Sequence, residues 1–159
     1  MKRYSSPAEM IAEVGTTLGT STWWLVDQQM INTFADLTGD PQWVHVDEVR
    51  AKEGPFGATV AHGMLTISLA VSQLAEIVEV GGTDMLLNKG MDRLRFSAPV
   101  TAGTRIRTTA ELVSVTPRIR GFTEIVFGVS VEVENTGKVA LTAQVRAFAH
   151  VAESDESTV

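Results

Sequence analysis

The chain contains no cysteine. No disulfide can hold it together, and no thiolate can act as nucleophile or metal ligand. It also has no uninterrupted apolar run of the ~18 residues that a membrane-spanning helix needs. Its first residues, MKRYSSPAEMIAEVG, are too polar for a secretory signal, so a cytoplasmic location is expected. Aromatic residues are scarce at 6%, and the formal net charge is −6. A duplex binder needs a basic face and a single-strand binder needs stacking rings, so no nucleic-acid partner is expected.

What is present points to one core. Hydrophobic residues make up 44% of 159, enough for a single domain over residues 1–151, with 152–159 (AESDESTV) as an acidic mobile tail. SPAEMIAEVG reads as a short helix with Ser6 as N-cap, Pro7 at its first position and Glu9 closing a capping box. TSTWWLV, 20–26, is β-branched and aromatic, hence a strand. QQMINTFADL, 28–37, puts Met30, Phe34 and Leu37 at helical spacing behind the N-cap Asp27, and Gly39 and Pro41 end it. VDEVRAKEG has room for one more helical turn before Gly54. In residues 62–80 the apolar positions cover nearly the whole helical circumference, so this helix is expected to be buried on all sides.

After residue 88 the period changes from 3.6 to 2. Leu94, Phe96 and Ala98 alternate with Arg93, Arg95 and Ser97. Ile106 to Leu112, Phe127 to Val133 and Val139 to Ala149 alternate in the same way. APVTAGT, TPRIRG and ENTGK supply the turns. Short turns and strict alternation describe an antiparallel meander with one buried face. Such a sheet needs something to cover, and the all-apolar helix needs a wrapper. The economical solution is an α+β architecture, the hot-dog fold, in which a curved antiparallel sheet wraps one long buried helix. A lone curved sheet leaves an edge strand open, so a homodimer is expected.

Two short stretches carry candidate chemistry. LTGDPQWVHVD, 37–47, sets Asp40 and His45 five residues apart across a turn. A carboxylate and an imidazole so placed can converge on one water and move its protons; the same residues also suit a plain surface turn. GPFGATVAHGM, 54–64, holds three glycines and a proline just before the buried helix. The unbonded N–H groups of a helix start could polarise an acyl oxygen, or the glycines could serve tight packing alone. Ser68, in the first turns of that helix, could orient Asp40 or bond its own backbone. Reading His45, Asp47 and His62 as metal ligands is disfavoured because their spacing matches no compact metal signature. The stretch from Lys89 to Arg120 is locally basic, with Arg93, Arg95, Arg105, Arg107 and Arg118 between its ends. It is either a solvated strand face or a landing site for a phosphorylated ligand.

FADLTGDPQWVHVD followed by GPFGATVAHGMLTISL resembles the MaoC-like dehydratase family, which includes (R)-specific enoyl-CoA hydratases and NodN-like proteins. The matching positions are Phe34, Thr38, Gly39, Asp40, Val44, His45 and Asp47, then Ala61, His62, Gly63 and Met64, with FSAPVTAGTRI further on. Where many hydratases of the family carry Asn-Pro two residues after the acid, this chain has Gln42 and Trp43, as in the NodN-like branch.

The resemblance implies reversible hydration of a trans-2-enoyl-CoA to the (R)-3-hydroxyacyl-CoA. Asp40 and His45 would be the catalytic pair on one water, Asp40 as base and His45 as acid. The main-chain N–H of Gly63 would polarise the thioester carbonyl, with Ser68 supporting the acid. Phe56, Gly57, Val60, His62 and Met64 would contact the substrate, and Arg93 and Arg95 the CoA phosphates. No cofactor and no metal are required. A hot-dog thioesterase, a dehydratase acting on acyl-carrier protein and a non-catalytic acyl-CoA-binding module are the rival readings.

Overall fold

The computed structural model describes residues 1–151. The predicted tail, 152–159, lies outside the described residues. Lys2–Tyr4 forms β1, followed by a 3₁₀ helix at Pro7–Glu13. Then come Thr17–Thr20 (β2), Trp24–Val26 (β3), Gln28–Thr38 (α1), Trp43–Val46 (α2), Glu48–Lys52 (α3) and Gly63–Ile77 (α4). The C-terminal half is Val78–Val80 (β4), Met85–Phe96 (β5), Thr104–Pro117 (β6), Phe122–Val133 (β7) and Lys138–His150 (β8). Five strands form an antiparallel sheet in the order β2-β6-β7-β8-β5, and β3 also pairs with β6. A small parallel pair, β1 with β4, stands apart.

The alternation predicted for the last three strands defines the face that packs on α4. Ile106, Thr108, Ala110 and Leu112 of β6, Phe127 to Val133 of β7 and Leu141 to Ala149 of β8 bury every second residue. Val139 departs from the pattern. The register with β7 shifts between Val131 and Glu132, which turns Ala140 inward instead. Leu65, Ile67, Ala70, Leu74 and Ile77 of α4 join the same core. The sheet thus wraps the helix in the hot-dog arrangement.

Polar pins fix the helix against the sheet. Gln73 is fully buried. Its amide N–H₂ faces the carbonyls of Thr22 at 3.3 Å and Ile106 at 3.2 Å, and its Oε1 accepts from the Thr108 hydroxyl at 2.6 Å. Glu76 accepts from the Thr22 N–H and hydroxyl, both at 2.8 Å, and from the Trp24 indole at 2.7 Å. The Thr22 N–H and hydroxyl, with the indole, outweigh partial burial and hold the Glu76 carboxyl below its usual range.

Several local expectations are corrected. The N-terminal helix is 3₁₀, and Glu9 receives the N–H and hydroxyl of Ser5 rather than closing on Ser6. The strand expected over 20–26 is split into β2 and β3. On α1 the core takes Ile31 and Ala35, with Met30 and Phe34 packed against it, whereas Leu37 is 82% exposed. Helix α4 is not buried on all sides: Met64, Ser68, Ser72 and Ala75 form an exposed stripe. Strand β5 is the sheet edge, is bulged between Asn88 and Gly90 and between Asp92 and Arg95, and exposes most of its residues. Among the described residues, no helix is long and apolar enough to cross a membrane.

Replacing Gln73 by Leu would leave the buried Thr108 hydroxyl without its acceptor and take the amide from the buried Ile106 carbonyl and the Thr22 carbonyl, which keeps the Ser21 hydroxyl. A loss of about 3 kcal/mol in urea unfolding is expected. A loss under about 1 kcal/mol would mean that the pin contributes little to stability.

Candidate active site

Local backbone chemistry sets Asp40 and His45 on two sides of one turn. Gly39 ends α1 in the left-handed region at φ 69°, with its N–H on the Ala35 carbonyl. The N–H of Asp40 reaches the same carbonyl at 3.0 Å, and Pro41 then stops any continuation. The chain re-enters a single helical turn at Trp43, so His45 lies in α2, a helix the sequence reading did not separate from the loop.

The Gly-rich segment comes alongside. Val60 donates its N–H to the Val44 carbonyl at 3.0 Å, and Ala61 donates to Val100 at 2.8 Å. His45 Nδ1 lies 2.6 Å from the Val60 carbonyl. A carbonyl can only accept, so this nitrogen carries the hydrogen and Nε2 keeps a free lone pair. His62 has the opposite arrangement. Its Nε2 lies 3.0 Å from the main-chain carbonyl of Asp40 and therefore carries the hydrogen. Its Nδ1 is buried and has no partner among the described residues.

The two imidazoles stack, with ring centroids 3.7 Å apart and planes 23° from parallel. Phe34 leans on the far ring, its centroid 5.0 Å from that of His62. The Asp40 side chain is 58% exposed, and its carboxylate lies 3.9 Å from His62 Nε2. One carboxylate oxygen of Asp40 and one ring nitrogen from each histidine lie within 4.8 Å of one another. That is a span one water molecule can bridge. It is also a donor set of metal-ligating type, with Asp40 in the place the sequence reading gave to Asp47. Asp47 instead accepts from the Arg50 N–H at 3.0 Å and caps α3. Nearly parallel stacked rings project their lone pairs in separate planes, so one imidazole would have to leave the stack before both could hold a single ion.

Beside this cluster lies a cavity of about 510 Å³, lined by Phe56, Val60, Gly63, Met64, Phe96 and Val100 among others. Gly63 opens α4, so its N–H has no acceptor within the helix. A Cβ there would lie 2.8 Å from the Phe96 ring. Only glycine lets that ring rest against the helix start.

The other predicted site residues divide. Phe56, Val60 and Met64 line the cavity, whereas Gly57 is a left-handed turn residue at φ 70° outside the lining. His62 sits behind His45 in the stack. Ser68 does not serve Asp40: its hydroxyl donates to the Met64 carbonyl at 2.8 Å, within its own helix. Arg93 and Arg95 are on the wrong face. Thr108 bonds Gln73 of α4, so its neighbour Thr109 points away from the helix. Thr109, Ser130, Thr142 and Arg95 form one cross-strand row on that outer face. Arg93 lines a shallow depression over the same row. The bulge after Asp92, with Arg93 at φ 52°, turns it there.

Three more cations of the basic stretch meet carboxylates in or just after β7. Arg105 pairs with Glu134 and Arg107 with Glu132, each at 2.7 Å, and Arg118 meets Glu124 at 3.1 Å. Gln28 and Thr59 were missed altogether. Both touch the cluster only through contacts distant in sequence.

Residues 9–139 match the MaoC like domain family. The chain belongs to this family of dehydratases and hydratases. It is 40% identical over 144 residues to the 3-hydroxyacyl-thioester dehydratase Z of Mycobacterium tuberculosis, covering 91% of this chain and 95% of that protein. It is also 40% identical over 152 residues to nodulation protein N of Rhizobium meliloti, covering 94% of each. Among solved structures, an unliganded R-hydratase from Pseudomonas aeruginosa superposes with a TM-score of 0.72 at 22% identity, over 98% of this chain and 96% of that one. A monoamine oxidase regulatory protein from Archaeoglobus gives 0.77 at 24%, over 96% and 98%. These likenesses support the hot-dog fold.

The two tautomers can be read in solution. In ¹⁵N spectra at neutral pH, His45 is expected as the Nδ1–H form and His62 as the Nε2–H form. Two histidines in the same tautomer would contradict the hydrogen-bond assignment.

Proposed function

We propose that this protein hydrates trans-2-enoyl thioesters, with CoA thioesters as substrates, and catalyses the reverse dehydration. The observation that carries the reading is the convergence of the Asp40 carboxylate with one ring nitrogen each of His45 and His62 within bridging distance of one water, next to a cavity lined by Gly63 at the start of α4.

The tautomer refines the roles. Neutral His45 offers an Nε2 lone pair, so it acts as base, and the ionised Asp40 holds the second hydrogen of the water. As the water oxygen bonds to C3, one of its protons moves to His45 Nε2. The C2=C3 π pair shifts towards the thioester carbonyl, whose oxygen takes up negative charge facing the Gly63 N–H. His45 then returns the same proton to C2, and the carbonyl re-forms. Hydroxyl ends on C3 and hydrogen on C2, with no net change at the protein. This reverses the division expected from the resemblance, in which Asp40 was the base. The (R) configuration at C3 follows the family resemblance, and chiral analysis of the product checks it.

The acyl chain has a path. Helix α4 and strand β5 run in opposite directions, so Gly63 meets Phe96 while Val78 lies near Leu86. A second, mainly apolar cavity of about 440 Å³ lies at that far end, lined by Val71, Leu74, Ala75, Leu86 and Phe127 among others. An acyl tail laid along this seam would leave water behind. A second copy would cover it. The open edge β5, with Leu86, Leu87 and Met91 exposed, continues into the exposed stripe of α4 and supports a homodimer closed across this side.

Loss of enoyl absorbance with crotonyl-, octenoyl- and dodecenoyl-CoA tests the activity, and release of free thiol instead would identify a thioesterase. Faster turnover on the same acyl group carried by acyl-carrier protein would reassign the carrier. Asp40→Asn and His45→Gln are each expected to lose roughly a hundredfold in kcat while folding normally. The double variant should fall far short of the product of the two losses, because the groups share one water. Near-parent turnover in either single variant would remove the pair from the mechanism.

Sedimentation at micromolar concentration is expected to show a dimer, and Leu86→Asp a monomer. A monomeric parent would leave the apolar seam without its proposed cover.

A further inference from the structure

Gln28 is the first residue of α1 and lies far from the cavity in sequence. Its side chain nevertheless joins the two segments that carry the candidate pair. The amide N–H₂ donates to the main-chain carbonyl of His45 at 2.8 Å and to Asn32 Oδ1 at 2.8 Å. The amide oxygen accepts from the hydroxyl of Thr59. Both nitrogen partners are acceptors and the oxygen partner is a donor, so the orientation of the amide is unambiguous.

Thr59 immediately precedes Val60, whose carbonyl receives His45 Nδ1–H and whose N–H bonds Val44. Gln28 therefore closes a ring of contacts. It grips the backbone of His45 on one side and the residue before the His45 ring's acceptor on the other.

We infer that Gln28, through Thr59, is a positioning residue that fixes the tautomer and orientation of His45. This rests on the hydratase reading for its catalytic consequence but not for its structural one. Residues 59–61 are anchored to 100–102 by the Ala61 N–H on the Val100 carbonyl and the Ala102 N–H on the Thr59 carbonyl. Helix α2 meets this anchored segment through the Val60–Val44 bond, the imidazole and Gln28, and without Gln28 it can slide against it. Once the Nδ1–H···O=C geometry slackens, the ring can carry its hydrogen on Nε2 instead, and the lone pair aimed at water is lost. His62 fixes the plane of the His45 ring by stacking on it, but a stack does not choose between two nitrogens. That choice belongs to the Val60 carbonyl, and Gln28 holds the segment that carries it.

The test uses the full chain with Gln28→Leu, Gln28→Glu and Thr59→Val. Gln28→Glu keeps an acceptor for Thr59 but cannot donate to the His45 carbonyl. In ¹⁵N spectra at neutral pH, the His45 signals of Gln28→Leu and Thr59→Val are expected to move from the Nδ1–H pattern towards a mixture with Nε2–H, while His62 keeps its own. With crotonyl-CoA, kcat should fall on the order of tenfold to a hundredfold, with KM within about twofold, because the defect is misplacement of a reacting group rather than lost ligand contact. Gln28→Glu should lie with Gln28→Leu rather than with the parent. If Gln28→Leu does not fold, Thr59→Val carries the same comparison. An unchanged His45 spectrum in a folded variant overturns the inference, whatever happens to activity. A shifted spectrum in a protein whose parent hydrates no enoyl thioester would uphold the clamp and defeat the proposed function instead.

Discussion

The constraint on which this structure depends is the burial of α4 by a single sheet. A helix apolar on most of its surface needs neighbours on most of its surface, and only a sheet that curves can supply them. That curvature brings β6, β7 and β8 around Leu65, Ile67, Ala70 and Leu74, and the buried amide of Gln73 pins the helix in place. Because the helix is held along its length, its first residue is held too. Gly63 sits where one cavity wall meets the start of α4. The site inherits its position from the core.

Two faces of the same sheet have separate tasks. The inner face is a ladder of small and branched apolar residues against the helix. The outer face is a lattice of charges and hydroxyls, in which β6 arginines meet β7 glutamates and Arg146 joins Asp92 to Glu124. Of the seven cations between 89 and 120 in the linear sequence, Arg105, Arg107 and Arg118 meet carboxylates after folding, whereas Lys89, Arg93, Arg95 and Arg120 take part in no ion pair among the described residues. The exposed pairs contribute little stability.

The sequence was most legible where periodicity is strong. Alternation in 104–149 predicts three strands and the face each buries, and Asp27, Gly39 and Pro41 bracket α1 correctly. Spacing alone could not say that Leu37 falls outside the core while Met30 and Phe34 of the same helical set pack against it beside Ile31 and Ala35. Nor could it see that the α4 residues Met64, Ser68, Ser72 and Ala75 remain uncovered in one chain. Strict alternation carried across Arg93 and Arg95 misses the bulge that changes the count. At the site, the turn chemistry around Gly39 and Pro41 marked Asp40 and His45, but hydrogen bonds from Gln28 to residues 45 and 59 follow no local pattern. Only folding brings such partners together.

The contact between Phe96 and Gly63 decides how the cavity can change size. Because Gly63 has no side chain, the ring lies directly against helix backbone, and it is half-exposed on its other side. The wall at that point is a side-chain rotamer and not a main-chain segment. The width of the cavity beside the helix start therefore follows the position of one aromatic ring and not the spacing of the strands and the helix.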